Sequence, residues 1–453
     1  QSRSQFGAAL RKTPAHGAVA SMIQTLFLLA SRSAWSRKGS LLLLLLSVIT
    51  STCLLLGIDL ARQSAKASFS NAVAGTDLIV GAQTSPVSLL LYSVFRIGQA
   101  TRNVPYAEFE RLEQDPRVKS ALPIALGDSY QGFAVVGTKA VYFDRFLYGA
   151  RQNLQFAQGR AFEDYTVGKP AAVLFEAVLG AEVAKRLNHK VGDKIALSHG
   201  MQIQQTGPSH ADKPFTVVGV LQATGTPVDQ SVHISLAGME AIHVDWAAGV
   251  PVPGAEIPAE YVTKFNLQPK SVTAVLIGLN NRAGVFRMQR ELENRPDAAL
   301  SAILPGVALS TLWQTVGVVE RVLLFVAALV AVVSALGLTS VMLVTLGQRR
   351  RELAVLRSTG AGPRTVFGLL FLESALVMWV GVALGVLALA LCGAALAPWV
   401  QAQFGLQLVS LGELGAGLLA VVAFAAFGSL LGLVPAFQAY RNQLQYGLNP
   451  KTK

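Results

Sequence analysis

Charged residues are scarce in this sequence. Asp, Glu, Lys and Arg make up 14% of its 453 residues, and hydrophobic residues make up 52%. Soluble domains usually carry about 25% charged residues. This shortage argues against an ordinary soluble protein and indicates a membrane protein.

Cysteine is nearly absent as well. Cys53 and Cys392 both lie in long apolar runs, and the segment 59–321 contains no cysteine. A disulfide framework of the kind that supports small secreted domains is therefore excluded for that segment. Its fold must rest on an ordinary hydrophobic core, for which its length is ample.

The common nucleotide-binding and hydrolase motifs are also missing. The sequence contains no G-x-x-x-x-G-K-[ST] loop, no G-x-S-x-G and no H-E-x-x-H. We therefore expect that this chain is not an enzyme and binds no cofactor directly. Five of the six histidines lie in the segment 59–321, but none is spaced four residues from another and none neighbours a cysteine, so we expect no metal site. These histidines are His189, His199, His210, His233 and His243.

Long apolar runs are what the sequence has in abundance. Because about 20 apolar residues cross a bilayer, we predict four spans, near 40–58, 322–346, 366–395 and 415–434. The predicted order is a tag or upstream segment (1–21), an amphipathic cytoplasmic helix (22–39), a first span and stalk (40–74), a periplasmic α+β domain (75–305), a stalk and second span (306–346), a cytoplasmic coupling helix (347–365), a third span (366–398), a short periplasmic loop (399–413), a fourth span (414–435) and a cytoplasmic tail (436–453).

The position of the positive charge predicts the orientation. The net charge of +12 comes almost entirely from residues 1–39, 347–365 and the tail after Pro435, whereas 59–321 is nearly neutral. Basic residues in short flanks favour the cytoplasmic side. We therefore predict cytoplasmic termini and an exterior segment 59–321 in a bacterial inner membrane. The same distribution argues against nucleic acid as a partner.

The exterior segment mixes strands and short helices without a strict βαβ alternation, which favours an α+β domain. Residues 224–231 and 249–260 are predicted surface loops, either contacts for a partner or cargo or simple connectors. We predict strands at 76–81, 118–126, 132–137, 193–198, 215–222, 231–235 and 271–279, and helices at 176–188 and 282–295.

Three residues in the third span stand out. Glu373 is a carboxylate in an apolar run, and buried carboxylates in a membrane are costly. We expect an ion pair with a nearby arginine or a side chain that reaches the headgroups; a proton or ion pathway is the alternative. Gly381 and Gly385 form a G-x-x-x-G pattern, which is typical of close helix packing.

An arginine-rich stretch, RRRELAVLRSTGAGPRTV (349–366), separates the second and third spans. Leu353 and Leu356 share one face of a predicted short helix, and Gly360 to Pro363 would end it. Its arginines could bind the phosphates of membrane lipids or acidic groups on a partner. Anchoring by positive charge alone is the other interpretation, but it needs neither an apolar face nor a defined end.

The longer stretch LVTLGQRRRELAVLRSTGAGPRTVFGLLFLESAL (343–376) resembles the coupling-helix region of FtsX/MacB-type ABC transporter permeases, also called type VII. Ser358 and Thr359 depart mildly from the usual Ala-Leu at this point. The resemblance extends to 159–197 and 434–450. The residues that match the family pattern are Arg350, Arg351, Glu352, Leu353, Leu356, Arg357, Gly360, Ala361 and Glu373.

The resemblance implies a permease with four transmembrane helices and a MacB-like α+β periplasmic domain between helices 1 and 2. It implies a second permease copy or a sister permease as partner, and a dimer of ABC ATPase subunits that binds ATP and Mg²⁺. The coupling helix that would dock this ATPase comprises Arg349, Arg350, Arg351, Glu352, Leu353, Leu356, Arg357, Gly360 and Arg364.

Two kinds of function follow from the resemblance. The first is extraction or export of a lipoprotein, lipid, peptide or other amphiphile, as in the lipoprotein-releasing and macrolide-exporting members, with a periplasmic adaptor as a further partner. The second is an FtsX-like transducer that activates a periplasmic enzyme and moves no cargo. The long exterior segment favours the first. A membrane receptor without an ATPase is a third alternative.

Overall fold

Four helices in the computed structural model are long and apolar enough to cross a membrane by length and composition. The structure describes residues 38–200, 209–247, 250–252, 254, 256–348 and 362–448. Within them, the prediction of four spans with an α+β domain between the first two is confirmed. The helices of these spans are Lys38–Ala72 (α1), Pro305–Gln348 (α8), Pro363–Phe404 (α9) and Gly415–Leu431 (α10), which Leu433–Leu448 (α11) follows.

The chain forms two compact units. The membrane unit contains the described residues of 1–62, 320–395 and 410–453. The head unit contains the described residues of 63–319 together with 396–409. Helices α1, α8 and α9 each contribute residues to both units.

The head unit is built on strands and short helices. Its helices are Pro86–Phe95 (α2), Tyr106–Gln114 (α3), Tyr142–Arg145 (α4), Ala181–Leu187 (α5), Leu236–Ile242 (α6) and Val285–Glu293 (α7). Its strands are Leu78–Ala82 (β1), Val104–Pro105 (β2), Val118–Tyr130 (β3), Phe133–Thr138 (β4), Leu147–Tyr148 (β5), Gln152–Asn153 (β6), Phe156–Gly159 (β7), Glu176–Leu179 (β8), Lys194–Ile195 (β9), Ser198–His199 (β10), Phe215–Leu221 (β11), Ser231–Ser235 (β12), Trp246–Ala247 (β13), Val250–Pro251 (β14), Ser271–Val272 (β15), Ala274–Leu279 (β16) and Leu300–Ile303 (β17).

Eleven of these strands form one mixed sheet. Its order is β17-β1-β16-β3-β4-β12-β8-β11-β7, with β10 beside β3 and β9 beside β11. The β4–β12 and β8–β11 pairs are parallel and the others are antiparallel. Strands β1, β4, β12 and β16 are buried along their whole length. Both faces of the sheet are therefore covered there, which explains why β1, β4 and β16 are apolar runs rather than alternating patterns.

The C-terminal end of α1 and the N-terminal part of α8 pack into the hydrophobic core of the head unit. Phe69 near the end of α1 stacks on Phe95, with ring centroids 4.1 Å apart. It also meets Trp313 of α8 at 5.6 Å. Because aromatic side chains bury large apolar areas, these contacts fix the ends of α1 and α8 within the head unit.

One helix prediction is wrong in its first half. Residues 176–188 were expected to form a helix, but Glu176–Leu179 is a strand and only Ala181–Leu187 is helical. Strand β8 lies between β12 and β11, and its side chains at Ala177, Val178 and Leu179 are fully buried. Pairing within the sheet overrides the local helical spacing.

The predicted surface loop at 224–231 is also wrong. Thr224, Thr226 and Asp229 are buried. The Asp229 carboxylate accepts hydrogen bonds from the backbone N–H of Thr224 (2.8 Å) and of Gly225 (2.7 Å). A carboxylate that satisfies backbone donors in this way lets a polar loop be buried. This segment is therefore a folded turn of the head unit.

Candidate functional site

The predicted coupling helix lies outside the described residues. This applies to Arg349, Arg350, Arg351, Glu352, Leu353, Leu356, Arg357 and Gly360. Arg364 is described: it is exposed and lies in the first turn of α9. Glu373, nine residues further along α9, is 3% exposed. The structure thus separates an exposed cation from a buried carboxylate on the same helix.

The helices on either side of the arginine-rich segment share one hydrophobic cluster. Val366 and Leu370 of α9 pack with Ala436 and Ala439 of α11, and Leu346 near the end of α8 packs against them. These helices are therefore in contact where the segment 349–361 leaves α8 and enters α9. A force on that segment would act on a packed cluster rather than on free helix ends.

The structure places Gly381 and Gly385 against the first span. A Cβ atom on Gly381 would lie 2.7 Å from Val48 Cγ1, and one on Gly385 would lie 2.7 Å from Thr52 Cβ. Such distances are too short for real side chains. Both glycines therefore allow close approach of α9 and α1, the arrangement that G-x-x-x-G patterns favour.

Hydroxyl groups link the first and second spans. Ser334 Oγ of α8 lies 2.7 Å from Ser47 Oγ and 2.7 Å from Ser51 Oγ of α1. Hydrogen bonds between membrane helices stabilise their packing by about 1 kcal/mol. These serines were not predicted as packing residues from the sequence. Their signal is the four-residue spacing of Ser47 and Ser51 on one face of a leucine-rich helix.

A charged network joins three helices of the membrane unit. Arg62 Nε lies 2.9 Å from Glu320 Oε1, and Arg62 also lies 3.7 Å from Asp59. Asp59 Oδ2 accepts a hydrogen bond of 3.1 Å from the backbone N–H of Gly417. Gly417 is the third residue of α10, whose own N-cap offers no side-chain hydrogen bond. Asp59 therefore caps α10 from α1.

The head unit binds the end of α9 and the loop after it. The Ala402 carbonyl accepts hydrogen bonds from Gln230 Nε2 (2.9 Å) and Arg186 (3.3 Å). Ser64 and Ser68 of α1 accept the backbone N–H groups of Val409 (3.0 Å) and Gln407 (3.2 Å). Residues 399–409, which belong to the predicted periplasmic loop 399–413, thus contact both the stalk and the β-sheet domain.

An open cleft of about 550 Å³ lies on the head unit. Lys139, Asp164 and Tyr106 contribute polar groups, and the exposed side chains of Val167 and Phe265 contribute apolar surface. Burial, together with the negative charges of Glu113, Glu110 and Asp164, raises the pKa of Tyr106 to about 12. The phenol therefore remains a neutral donor. This mixed lining suits an amphiphilic ligand.

Three of the histidines are not scattered, contrary to the expectation from their spacing. His199, His210 and His243 converge with Asp128, and one ligand atom from each residue lies within 4.8 Å of the others. Burial would raise the pKa of Asp128, but the three neighbouring imidazoles more than reverse this effect and hold that pKa below its usual range. The cluster lies wholly within the head unit.

Comparison with known proteins gives two family matches. The MacB-like periplasmic core domain matches residues 41–294. The FtsX-like permease C-terminal domain matches residues 324–444. The first match alone covers more than half of the chain, and the second covers the later spans.

Individual relatives agree with these matches. The chain is 28% identical over 348 residues to the pyoverdine export ATP-binding/permease protein PvdT of Pseudomonas syringae pv. tomato, which covers 74% of this chain and 46% of that protein. It is 26% identical over 231 residues to the macrolide export ATP-binding/permease protein MacB of Brucella abortus, covering 50% of this chain and 32% of that protein. The chain thus spans less than half the length of these curated relatives.

Among solved structures, the periplasmic region of MacB from Actinobacillus actinomycetemcomitans is similar with a TM-score of 0.32 and 12% identity, covering 54% of this chain and 97% of that one. With its four apolar helices, its inserted mixed sheet and its two matched domains, this chain belongs to the MacB/FtsX-type permeases of ABC transporters.

Proposed function

We propose that this permease converts ATP-driven closure of an ATPase dimer into movement of the head unit. That movement extracts or exports an amphiphilic cargo: a lipoprotein, a lipid, a peptide or a small exported compound. The export relatives support this cargo class, since their names refer to pyoverdine and macrolides. The permease acts as a pair, either with a second copy or with a sister permease.

The observation that carries the proposal is the length and attachment of two helices. Helix α1 has 35 residues and α8 has 44. At about 1.5 Å per residue, they are roughly 52 and 66 Å long, whereas the hydrocarbon core is about 30 Å thick. The Arg62–Glu320 ion pair joins them, and Phe69 and Trp313 hold their ends in the core of the head unit. Two tied helices of this length suit the transmission of force.

In this proposal, force enters the two long helices at the segment 349–361. We place the ATPase contact there because arginine side chains bind carboxylates with two hydrogen bonds and because the hydrophobic cluster at Val366 and Ala436 joins the flanking helices. ATP and Mg²⁺ bind to the partner ATPase subunit. Arg364, exposed at the start of α9, belongs to the same contact surface.

The orientation follows from charge. The arginine-rich segment and the termini face the cytoplasm of a bacterial inner membrane, and the head unit lies outside it. A chain in which Cys53 and Cys392 are replaced by serine tests this. Val167→Cys, at a position 98% exposed on the head unit, should react with an impermeant thiol reagent added outside spheroplasts. Ser358→Cys should react only after lysis. The reverse pattern would overturn the orientation.

Docking of the ATPase at the segment 349–361 is tested by charge reversal. The triple variant Arg350→Glu, Arg351→Glu and Arg357→Glu should release the ATPase from purified membranes while the permease remains inserted, because three attractive contacts become repulsive. Arg441→Glu, a charge reversal at an exposed position of α11, is the matched control and should retain the ATPase. Unchanged co-purification with the triple variant rules out docking at this segment.

Cargo movement is tested separately from docking. Cells that carry the ATPase and the permease should retain the cargo when Arg62→Gln removes the ion pair between α1 and α8, although ATP is still hydrolysed. A transducer without cargo predicts a different result: a partner on the exterior side loses activity and no amphiphile accumulates. Comparison of the amphiphiles extracted from cells with the altered permease and from cells with the wild-type permease distinguishes these outcomes.

A further inference from the structure

The four residues of the cluster come from separate pieces of the head unit. Asp128 lies on β3 at an irregularity in its pairing with β4. His199 lies on β10 directly opposite Asp128 in the antiparallel register. His210 follows β10 in the chain, and its backbone N–H donates to Leu197 O at 2.8 Å. His243 follows α6. Tertiary folding alone brings these side chains together.

The distances between the polar atoms are short. His199 Nδ1 lies 3.0 Å from Asp128 Oδ1 and 3.1 Å from His243 Nε2. His243 Nε2 lies 3.5 Å from Asp128 Oδ1, and His210 Nε2 lies 3.9 Å from the same oxygen. Ligand atoms around a tetrahedral ion with bonds of about 2.0–2.1 Å are roughly 3.3 Å apart. The observed distances fall on both sides of that value.

Hydrogen bonding already orients one imidazole. His243 Nδ1 lies 2.8 Å from the Met239 carbonyl oxygen, so Nδ1 carries the proton and donates it. Nε2 then faces Asp128 and His199, and in the neutral imidazole it offers a lone pair to a metal ion. An imidazole whose second nitrogen donates to a carbonyl is the usual arrangement for a metal ligand.

Two members of the cluster have buried polar atoms without a hydrogen-bond partner. Both ring nitrogens of His210 and Oδ2 of Asp128 are in this state, and both residues are fully buried. An unpaired buried polar atom costs roughly 1–3 kcal/mol. A cation bound between these atoms would remove that cost for the atoms that face it.

We propose that Asp128, His199, His210 and His243 bind one divalent transition-metal ion of the zinc type. Three imidazoles and a carboxylate are ligands that Zn²⁺ accepts in tetrahedral sites, whereas Mg²⁺ and Ca²⁺ prefer oxygen alone. Protein atoms supply all four ligands, so the site is structural rather than catalytic. The nearby cation Lys213 does not compete, because Asp212 (2.6 Å) and Asp245 (2.7 Å) neutralise it.

The surroundings fit an ion that enters from solvent and is then held. The side chains of His199 and His243 are 32% and 26% exposed, so they provide access. Trp246 covers His210, with ring centroids 4.0 Å apart. Bound metal would join β3, β10 and the end of α6. It would also tie together His199 and His210, which flank residues 201–208 in the chain.

Zinc binding by the whole purified chain, carrying no histidine tag, tests the site. After treatment with a chelator, the protein is dialysed against Zn²⁺ and its zinc content is measured by mass spectrometry. The wild type should bind one Zn²⁺ per chain. Asp128→Asn and His199→Ala should weaken binding by about 10-fold or more. Zn²⁺ should raise the Tm of the wild type and leave that of His199→Ala unchanged.

His189→Ala is the matched control. His189 is also a partly exposed imidazole near a carboxylate, since its Nδ1 lies 3.1 Å from Asp193, but it lies outside the cluster. It should retain zinc, and Co²⁺ should give it and the wild type the visible absorption of tetrahedral coordination. His199 is partly exposed, so its variant should fold, and circular dichroism checks this. Equal zinc contents in wild type and His199→Ala, or equal loss in His189→Ala, would overturn the site.

Discussion

Arg62 Nε lies 2.9 Å from Glu320 Oε1, and this ion pair joins helix α1 to helix α8. The same arginine reaches Asp59, whose other carboxylate oxygen caps α10 through Gly417. Three helices of the membrane unit therefore share one polar network. If these long helices transmit force, as proposed above, they need such a connection, because otherwise each helix could move without the others.

The ion pair should matter more for coupling than for stability. Its side chains are partly exposed, and such pairs contribute about 0–1 kcal/mol. A double-mutant cycle with Arg62→Gln, Glu320→Gln and both together should give a small interaction free energy of unfolding. ATP-driven cargo release should fall in each single variant. Glu413→Gln, at an exposed carboxylate, is the control; an equal loss of release there would contradict a specific role for the pair.

The cap on α10 should contribute measurably to stability. Asp59→Ala removes the acceptor of the Gly417 N–H, and loss of a helix cap costs about 1–2 kcal/mol. Asp59→Asn keeps a carbonyl acceptor but removes the charge, so it should cost less. Thermal unfolding of the detergent-solubilised protein measures the stability loss of both variants. A larger loss for asparagine than for alanine would show that the cap is not the cause.

Close packing of α9 on α1 should not tolerate a side chain at Gly385. A Cβ there meets Thr52 and lies 3.2 Å from the Ile49 carbonyl oxygen. Gly385→Val should therefore lower the free energy of unfolding by about 1–3 kcal/mol, the range for an overpacked site. Gly393→Ala on the same helix is the control, because no atom lies within 4 Å of its added Cβ. Similar Tm values for the two variants would argue against this packing.

The head unit should lose stability in acid through His233. Burial, reinforced by the positive charge of Arg96, lowers the pKa of His233 from 6.5 to about 3. The unfolded chain therefore binds this proton more readily than the folded chain does. The resulting stability is complete above pH 6.5 and declines by about 1.4 kcal/mol per pH unit as the pH falls toward 3.

His233→Phe isolates that effect, because phenylalanine matches the aromatic surroundings of Tyr142 and Phe143 and does not titrate. The difference in the free energy of unfolding between wild type and variant should depend on pH between 6.5 and 3. The titration of carboxylates changes the free energy of unfolding of both proteins equally and cancels in this difference. A difference that stays constant over this range would contradict the lowered pKa.

Much of this protein was readable from its sequence. The apolar runs predicted four spans, because a bilayer requires about 20 apolar residues per helix. The α+β head and the MacB/FtsX resemblance followed from local pattern and motif. The helix predicted at 176–188 was wrong in its first half, because sheet pairing overrode the local spacing. The surface loop predicted at 224–231 was wrong because the Asp229 carboxylate satisfies backbone donors of the loop, which is therefore buried.

The remainder depended on contacts between residues distant in the chain. Asp128 and His199 are 71 positions apart, and they meet only because β3 and β10 pair in one register. Arg62 and Glu320 likewise come together only when α1 and α8 pack. Apolar length is a local property, so the sequence by itself determined which segments cross the membrane. The convergence of charges and imidazoles is a property of register and helix packing, so only the tertiary structure decided it.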